Sequence, residues 1–170
     1  MEKVLVLGCS GSGKSTFSQQ LGELTGLPVV HLDSLFWKPG WVSSDESEWN
    51  ETIEQLLKKD RYILDGNYSR TLEERLKEAD SVFYFDFPRY LCFYRAIKRR
   101  VQNHGVTRPD MREGCIEKID VEFLLWIWNF NKRNRPTIMK CLEEVRSVKQ
   151  VVIFTSPKDV SKYIQTLVHK

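Results

Sequence analysis

The sequence predicts a three-layer α/β domain on a mostly parallel sheet, and two observations carry that prediction. Short apolar runs alternate with stretches of helical periodicity, and the first run ends in a glycine-rich segment that opens the first helix. The runs are rich in β-branched and aromatic residues, as strands covered on both faces require.

Taken in order, Val4 to Leu7, Val29 to Leu32, Tyr62 to Leu64, Val82 to Phe85 and Val151 to Phe154 read as five strands. Between the first two, Phe17, Leu21 and Leu24 recur at helical spacing from Lys14, and Gly26 is placed to end that helix. Ser43 followed by Glu46 forms a capping-box pattern, after which Trp49, Ile53, Leu56 and Leu57 mark the buried stripe of a second helix. A third helix is expected after Pro88. A fourth follows the spacing of Ile119, Phe123, Trp126, Ile127 and Phe130, and a last one fills Lys158 to Val168. No repeat or low-complexity stretch interrupts the pattern.

The 170 residues suit one domain with a core of its own, so a single domain over 1–170 is expected. The 26 Lys and Arg nearly balance the 23 Asp and Glu, so the net +3 does not itself predict a nucleic-acid partner. Cys9, Cys92, Cys115 and Cys141 lack the paired spacing of a zinc site. No apolar run approaches the roughly 18 residues of a membrane span, and free thiols suit a reducing cytoplasm, so a cytoplasmic protein without a membrane partner is expected.

The segment Gly8-Cys9-Ser10-Gly11-Ser12-Gly13-Lys14-Ser15 fits GxxxxGK[ST], the phosphate-binding P-loop. Glycines let the backbone curl around an anion so that successive N–H groups, through Ser15 and Thr16, point at the phosphates. Lys14 supplies a cation that follows charge between β- and γ-phosphates, and Ser15 offers a hydroxyl to Mg²⁺. Four constrained positions arise by accident in roughly one chain per hundred of this length. Here an apolar strand precedes the motif and an amphipathic helix follows it, the context that the motif demands. The expected ligand is Mg-ATP or Mg-GTP.

In parallel α/β sheets ligands lie beyond the carboxyl ends of the strands, where Asp33 and Asp65 fall. Either acid could organise Mg²⁺ or take a proton from an attacking hydroxyl, and either could be a turn acid before Ser34 or Gly66. His31 reads as a packed, hydrogen-bonded histidine. Arg89, Arg95, Lys98, Arg99, Arg100, Arg108 and Arg112 make a cationic stretch in which Arg95 and Arg99 share a helix face. Lys132, Arg133 and Arg135 form a second group. A solvated face accounts for most of these side chains, and a nucleic-acid track interleaved with Tyr90, Phe93 and Tyr94 is a less favoured reading. Phe36, Trp37, Trp41 and Trp49 read either as an acceptor pocket or as core, and Trp126 and Trp128 as packing alone.

The run Tyr62-Ile63-Leu64-Asp65-Gly66-Asn67-Tyr68-Ser69-Arg70-Thr71 resembles the ILDGFPRT motif of adenylate kinases, as Phe85-Asp86-Phe87-Pro88 with Arg95 and Arg99 resembles the helix leading to their lid. His31-Leu32-Asp33, Trp41, Asp65-Gly66-Asn67-Tyr68 and Phe154-Thr155-Ser156-Pro157-Lys158-Asp159-Val160 are most similar to the adenylate-kinase-like topology modulation proteins, related to FlaR. This likeness implies a P-loop NTPase fold of nucleoside-monophosphate-kinase type with a five-stranded parallel sheet. It also implies an acceptor-side helical insert over about 34–60 and a short lid over about 102–117. By the same likeness Arg70 grips an acceptor phosphate, Arg95 lies by the base, Arg99 contacts phosphate, and Arg133 and Arg135 reach the γ-phosphate from the lid. The sequence departs from the pattern where Asn67-Tyr68-Ser69 replaces Phe-Pro, which argues against AMP as acceptor.

These readings predict a phosphotransferase. ATP and Mg²⁺ sit on the P-loop, a small acceptor lies between Asp33, Trp37 and Arg70, and Lys14, Arg99 and Arg133 neutralise the transferring group. A nucleotide-dependent regulator, with DNA or protein as partner and weak ATPase activity, is the alternative. The acceptor, the oligomeric state and the choice between ATP and GTP stay open.

Overall fold

In the computed structural model, which describes residues 1–103, 105–116 and 120–168, five parallel strands carry the core. The chain runs β1 (Lys3–Gly8), α1 (Lys14–Thr25), β2 (Val29–His31), α2 (Leu32–Phe36), β3 (Trp37–Lys38), β4 (Val42–Ser43) and α3 (Glu46–Leu57). It continues through β5 (Tyr62–Asp65), a 3₁₀ turn (Ser69–Thr71), α4 (Leu72–Glu78), β6 (Ser81–Phe85) and α5 (Arg89–Gln102). It ends with α6 (Val121–Arg133), α7 (Arg135–Val145), β7 (Gln150–Phe154) and α8 (Pro157–Val168).

The sheet order is β2-β5-β1-β6-β7, so β1 pairs on both sides, with Val6 beside Asp65 and Gly8 beside Phe85. The crossover from β1 to β2 and the one from β5 to β6 travel in opposite directions along the sheet. Right-handed connections then place α1 and α4 on opposite faces, giving the three layers. The reversal opens a crevice beyond the carboxyl end of β1, the place for a ligand in such sheets.

Strand interiors are buried on both faces: Val4, Leu5, Val6 and Leu7 expose nothing, and Val82, Phe83 and Tyr84 likewise. Under α1 and α8, Phe17 and Tyr163 each meet Phe83 and Phe154 edge to face, with Phe17 and Phe83 centroids 5.0 Å apart and Phe83 and Tyr163 5.1 Å apart. A second, smaller core lies under α3, where Trp49 packs on Phe36 at 5.1 Å and on Tyr68 at 4.6 Å.

Several details correct the sequence reading. The cap of α3 is Asp45, which accepts from Glu48 N–H at 2.9 Å, whereas Ser43 lies in the β3–β4 hairpin and starts no helix. The five expected strands form the main sheet, and that hairpin adds a separate two-stranded one. Helices α2, α4 and α7 were not expected. Two of them are under eight residues, and α7 follows α6 with only Asn134 between, so that two helical periods run together. Ile119, expected at the head of the α6 stripe, and His104 and Glu117 of the expected lid lie outside the described residues. No helix among the described residues is long and apolar enough to cross a membrane.

Candidate functional site

The P-loop lies at the crevice because β1 stops at Gly8 and α1 starts at Lys14, so the intervening backbone turns above the sheet. Gly11 has φ +80°, and a Cβ there would collide with the carbonyl oxygen of Cys92 on α5. The loop is thus seated directly on the α5 backbone. That seating aims two α5 side chains over the loop: Arg95 donates to Ser12 O at 3.3 Å, and Arg99 to Ser10 Oγ at 3.3 Å. Lys14 Nζ reaches Cys9 O at 3.0 Å. Asn67 closes the base, accepting from Gly8 N–H at 2.9 Å and donating to Gly8 O at 2.7 Å.

The two acids at strand ends take different surroundings. Asp65 is only 5 % exposed; one carboxylate oxygen accepts from Ser15 Oγ at 2.7 Å and meets His31 Nδ1 at 2.9 Å. Its other oxygen is buried without a hydrogen-bond partner. Burial opposes charge on the His31 ring, but the hydrogen bond and charge of Asp65, with Asp110 and Asp33 behind it, outweigh that and raise its pKa.

Asp33, the second residue of α2, opens to the cleft while protein atoms crowd round it, and the partial loss of water raises its pKa. The hydroxyl of Tyr68 donates to Asp33 Oδ1 at 2.6 Å and opposes that rise, while the charge of Asp65 adds to it. Tyr68 holds this position from a left-handed backbone, φ 38°, which a non-glycine residue adopts only when its surroundings impose it. Arg75 imposes it. Wholly buried on α4, it donates to the carbonyls of Gly66 at 2.9 Å, of Asn67, and of Tyr68 at 2.9 Å. Burial pulls the Arg75 pKa down to about 10, so the group keeps its charge at neutral pH.

These elements line one cleft of about 720 Å³. The structure brings together Ser10, Gly11, Gly13, Lys14, Ser15, Thr16, Asp33, Trp37, Asp65, Arg95 and Arg99 along it. It does not bring Arg70, which is ion-paired with Glu46 at the rim, nor Arg133, exposed in the last turn of α6. Of the loop residues, Gly8, Cys9 and Ser12 do not line the cleft, Cys9 and Ser12 being buried. Arg135 is held by Asp86 through two hydrogen bonds of 2.8 and 2.9 Å. Trp126, read as packing alone, lines the cleft together with Trp41 and Phe123, while Phe36 and Trp49 belong to the small core.

Sequence reasoning missed Arg75, His31 as a partner of Asp65, and the tyrosine hydroxyl on Asp33. For Arg75 a signal existed: it stands at helical spacing with Leu72, Leu76 and Ala79, a charge on an otherwise apolar stripe. The segment 105–116 covers the far side of the cleft, docked on the hairpin by Gly40 N–H to Gly114 O at 3.0 Å and Trp41 Nε1 to Ile116 O at 2.7 Å.

A divalent ion fits at the loop. The partnerless Asp65 oxygen stands by the Ser15 hydroxyl, and no group of three or more His, Cys, Asp or Glu able to hold a metal occurs among the described residues. That donor set suits an ion that takes one or two protein oxygens and completes its shell from water and phosphate, as Mg²⁺ does.

Residues 4–122 match the family described as AAA domain. The chain belongs to that family. Among curated proteins, adenylate kinase of Thermotoga petrophila is 26% identical over 80 residues, covering 47% of this chain and 36% of that protein. Adenylate kinase of Thermosipho melanesiensis is 27% identical over 105 residues, covering 60% of this chain and 48% of that protein. The chain thus spans no more than about half the length of these relatives. Among solved structures, a shikimate kinase from Acinetobacter baumannii in complex with shikimate superposes with a TM-score of 0.59 at 18% identity, covering 99% of this chain and 92% of that one. A gluconokinase from Sinorhizobium meliloti superposes at 0.53 and 16% identity, covering 99% and 90%. At such identities the superpositions speak for the fold, which is that of the P-loop NTPases.

Proposed function

We propose that this member of the AAA domain family is a P-loop kinase that moves the γ-phosphoryl group of ATP to the hydroxyl of a small acceptor. One observation carries the reading: a single cleft sets Lys14 and Ser15 of the loop opposite Asp33, a carboxylate kept basic by its surroundings and oriented by Tyr68. The names of the relatives, adenylate, shikimate and gluconate kinases, support it.

In this reading loop N–H groups and Lys14 hold the β- and γ-phosphates, and Arg95 and Arg99 close over them from α5. Ser15 and Asp65 would hold Mg²⁺, which would supply charge neutralisation at the phosphates. Asp33 takes the proton of the acceptor hydroxyl as its oxygen bonds to the γ-phosphorus, and the bond from that phosphorus to the bridging oxygen breaks, releasing ADP. A raised pKa suits Asp33 to that task, because a base nearer the working pH transfers protons more effectively. Residues 34–60 serve as the acceptor-side insert and 102–117 as a lid that excludes water. His31–Asp33, Asp65–Tyr68 and Phe154–Val160 support a place close to the topology modulation proteins within the family, and free thiols support a cytoplasmic setting.

The test is ADP release with Mg-ATP over a panel of sugars, acids, amino alcohols and nucleotides, with duplex DNA as a further arm. A kinase shows a many-fold rise with one small compound, abolished in Asp33→Asn with ATP affinity kept. A rise with DNA alone, steeply lost with salt, would give the role to a nucleotide-dependent regulator instead.

A further inference from the structure

Gly8 is the last residue of β1 and the first of the phosphate loop, and it is buried, so its main-chain groups need partners there. Val6, one rung earlier, is bonded as a parallel ladder requires: it lies beside Asp65, and its carbonyl accepts from Gly66 N–H at 3.1 Å. Continued by one more rung, that ladder would send Gly8 N–H to the carbonyl of Gly66 and Tyr68 N–H to the carbonyl of Gly8. Neither bond is made. The Gly66 carbonyl accepts from Arg75 Nη1 at 2.9 Å, and the backbone turns away at Tyr68, φ 38°. Both missing partners come from one side chain, the Asn67 carboxamide, whose oxygen accepts from Gly8 N–H at 2.9 Å and whose nitrogen donates to Gly8 O at 2.7 Å. A carboxamide carries the donor and the acceptor of a peptide group, so Asn67 stands in for a stretch of main chain.

The substitution does two things that a continued ladder would not. It lets β1 and β5 part at Gly8, where the crevice opens, without leaving a buried peptide group unpaired. It also fixes the orientation of the peptide groups from which the loop departs. On the β6 side Gly8 has no room to shift, because a Cβ there would stand 2.7 Å from Phe85 Cβ and 2.9 Å from Phe85 O. The first loop residue is thus wedged between the β6 backbone and the Asn67 amide. Other side chains of similar size lack the means: a carboxylate has no donor for Gly8 O, and a leucine has neither group.

Resting on the part of the kinase reading that seats ATP on the loop, we infer that Asn67 is a positioning residue for the nucleotide. Its carboxamide holds the first residue of the loop so that the N–H groups that follow converge on the phosphates before the ligand arrives. It acts through Gly8 and needs no contact with phosphate. Without it the Gly8 peptide groups are free to turn, and the nucleotide must order the loop as it binds, which lowers affinity. The next residue, Tyr68, orients Asp33, so consecutive residues of one turn set the phosphate loop and the acceptor-side base.

The experiment compares the full chain with Asn67→Ala and Asn67→Asp by calorimetry, using Mg-ATP and Mg-tripolyphosphate as probes. Asn67→Ala loses both bonds to Gly8 and should weaken the two probes alike, by about tenfold, because the loss lies at the phosphates. Asn67→Asp keeps the shape but loses the donor, and should bind no better than Asn67→Ala. In the unaltered, 15N-labelled chain the Asn67 side-chain NH₂ resonances should shift with Mg-ATP and saturate at the calorimetric Kd, a response that a residue serving the fold alone does not give. Undiminished binding in either variant, a loss for ATP without one for tripolyphosphate, or an Asn67 signal indifferent to nucleotide overturns the inference. The resonance decides the matter even if both variants fail to fold. Lys14→Ala, measured in parallel, separates the two readings. If it binds Mg-ATP as the unaltered chain does, the nucleotide site itself is misplaced; if it loses binding while Asn67→Ala keeps it, only the role of Asn67 falls.

Discussion

The phosphate side of the cleft and its acceptor side are built by different means. On the phosphate side the main chain does the binding: three glycines bend the loop, and the α5 backbone backs it so closely that Gly11 admits no side chain. On the acceptor side the working groups are side chains carried on five-residue and two-residue elements, and they stay in place through contacts among themselves. Tyr68 orients Asp33, and Arg75 holds the strained turn that presents Tyr68. A main-chain site is thus robust to its neighbours, and a side-chain site depends on them.

Substitutions on either side sharpen that contrast. The largest effect is expected for Lys14→Ala, which should weaken Mg-ATP binding by on the order of 100-fold or more in calorimetry while leaving the melting temperature nearly unchanged. Arg75→Met should do the opposite. The carbonyls of Gly66, Asn67, Tyr68 and Thr71 lose its donors, which should cost about 3 kcal/mol in urea unfolding. ATP affinity should survive it, and acceptor-dependent turnover should not. If Arg75→Met abolished ATP binding too, the two halves would not be separable.

Tyr68→Phe removes one hydrogen bond and should cost about 1 kcal/mol of stability. Because that bond holds the Asp33 pKa down against burial, its loss should move the acid limb of the pH–rate profile to higher pH. A limb that stayed in place or moved to lower pH would remove Asp33 from the proton transfer.

The smallest effect concerns His31. Its folded pKa lies above the unfolded value of about 6.5, so its proton stabilises the fold fully below about pH 6.5, and the increment fades as pH rises through the folded pKa. The melting temperature of His31→Gln should therefore fall furthest behind at about pH 5.5, with the gap narrowing toward about pH 9. A gap that widened with pH would show that the histidine is paired differently.

The same contrast explains what could be read from residues alone. The loop, the five sheet strands and the helices after Lys14 and Pro88 follow from local spacing, because glycine and apolar periodicity act over a few neighbours. Asp33 and Asp65 were legible as strand-end acids, but not their division of surroundings, since Tyr68 and His31 reach them from 35 and 34 residues away. Arg75 was missed: its place on an apolar stripe hinted at burial, but nothing local announces that the carbonyls of Gly66, Asn67 and Tyr68 converge on it. Trp126 looked like core, since facing a cleft and facing a core produce the same helical spacing. The cap of α3 went to Asp45, where Ser43 had the expected spacing, because pairing with Trp37 keeps Ser43 in the hairpin.

The docking of segment 105–116 on the hairpin also buries a thiol, since Cys115 is 1 % exposed with its sulfur 3.3 Å from Lys38 O. The other three cysteines are buried too, Cys9 and Cys92 beneath the loop and Cys141 on α7. If segment 105–116 acts as the proposed lid, its release from the hairpin should expose Cys115 to an alkylating reagent ahead of the three cysteines buried elsewhere, so single-site alkylation read by mass spectrometry on the unmodified chain would time the opening.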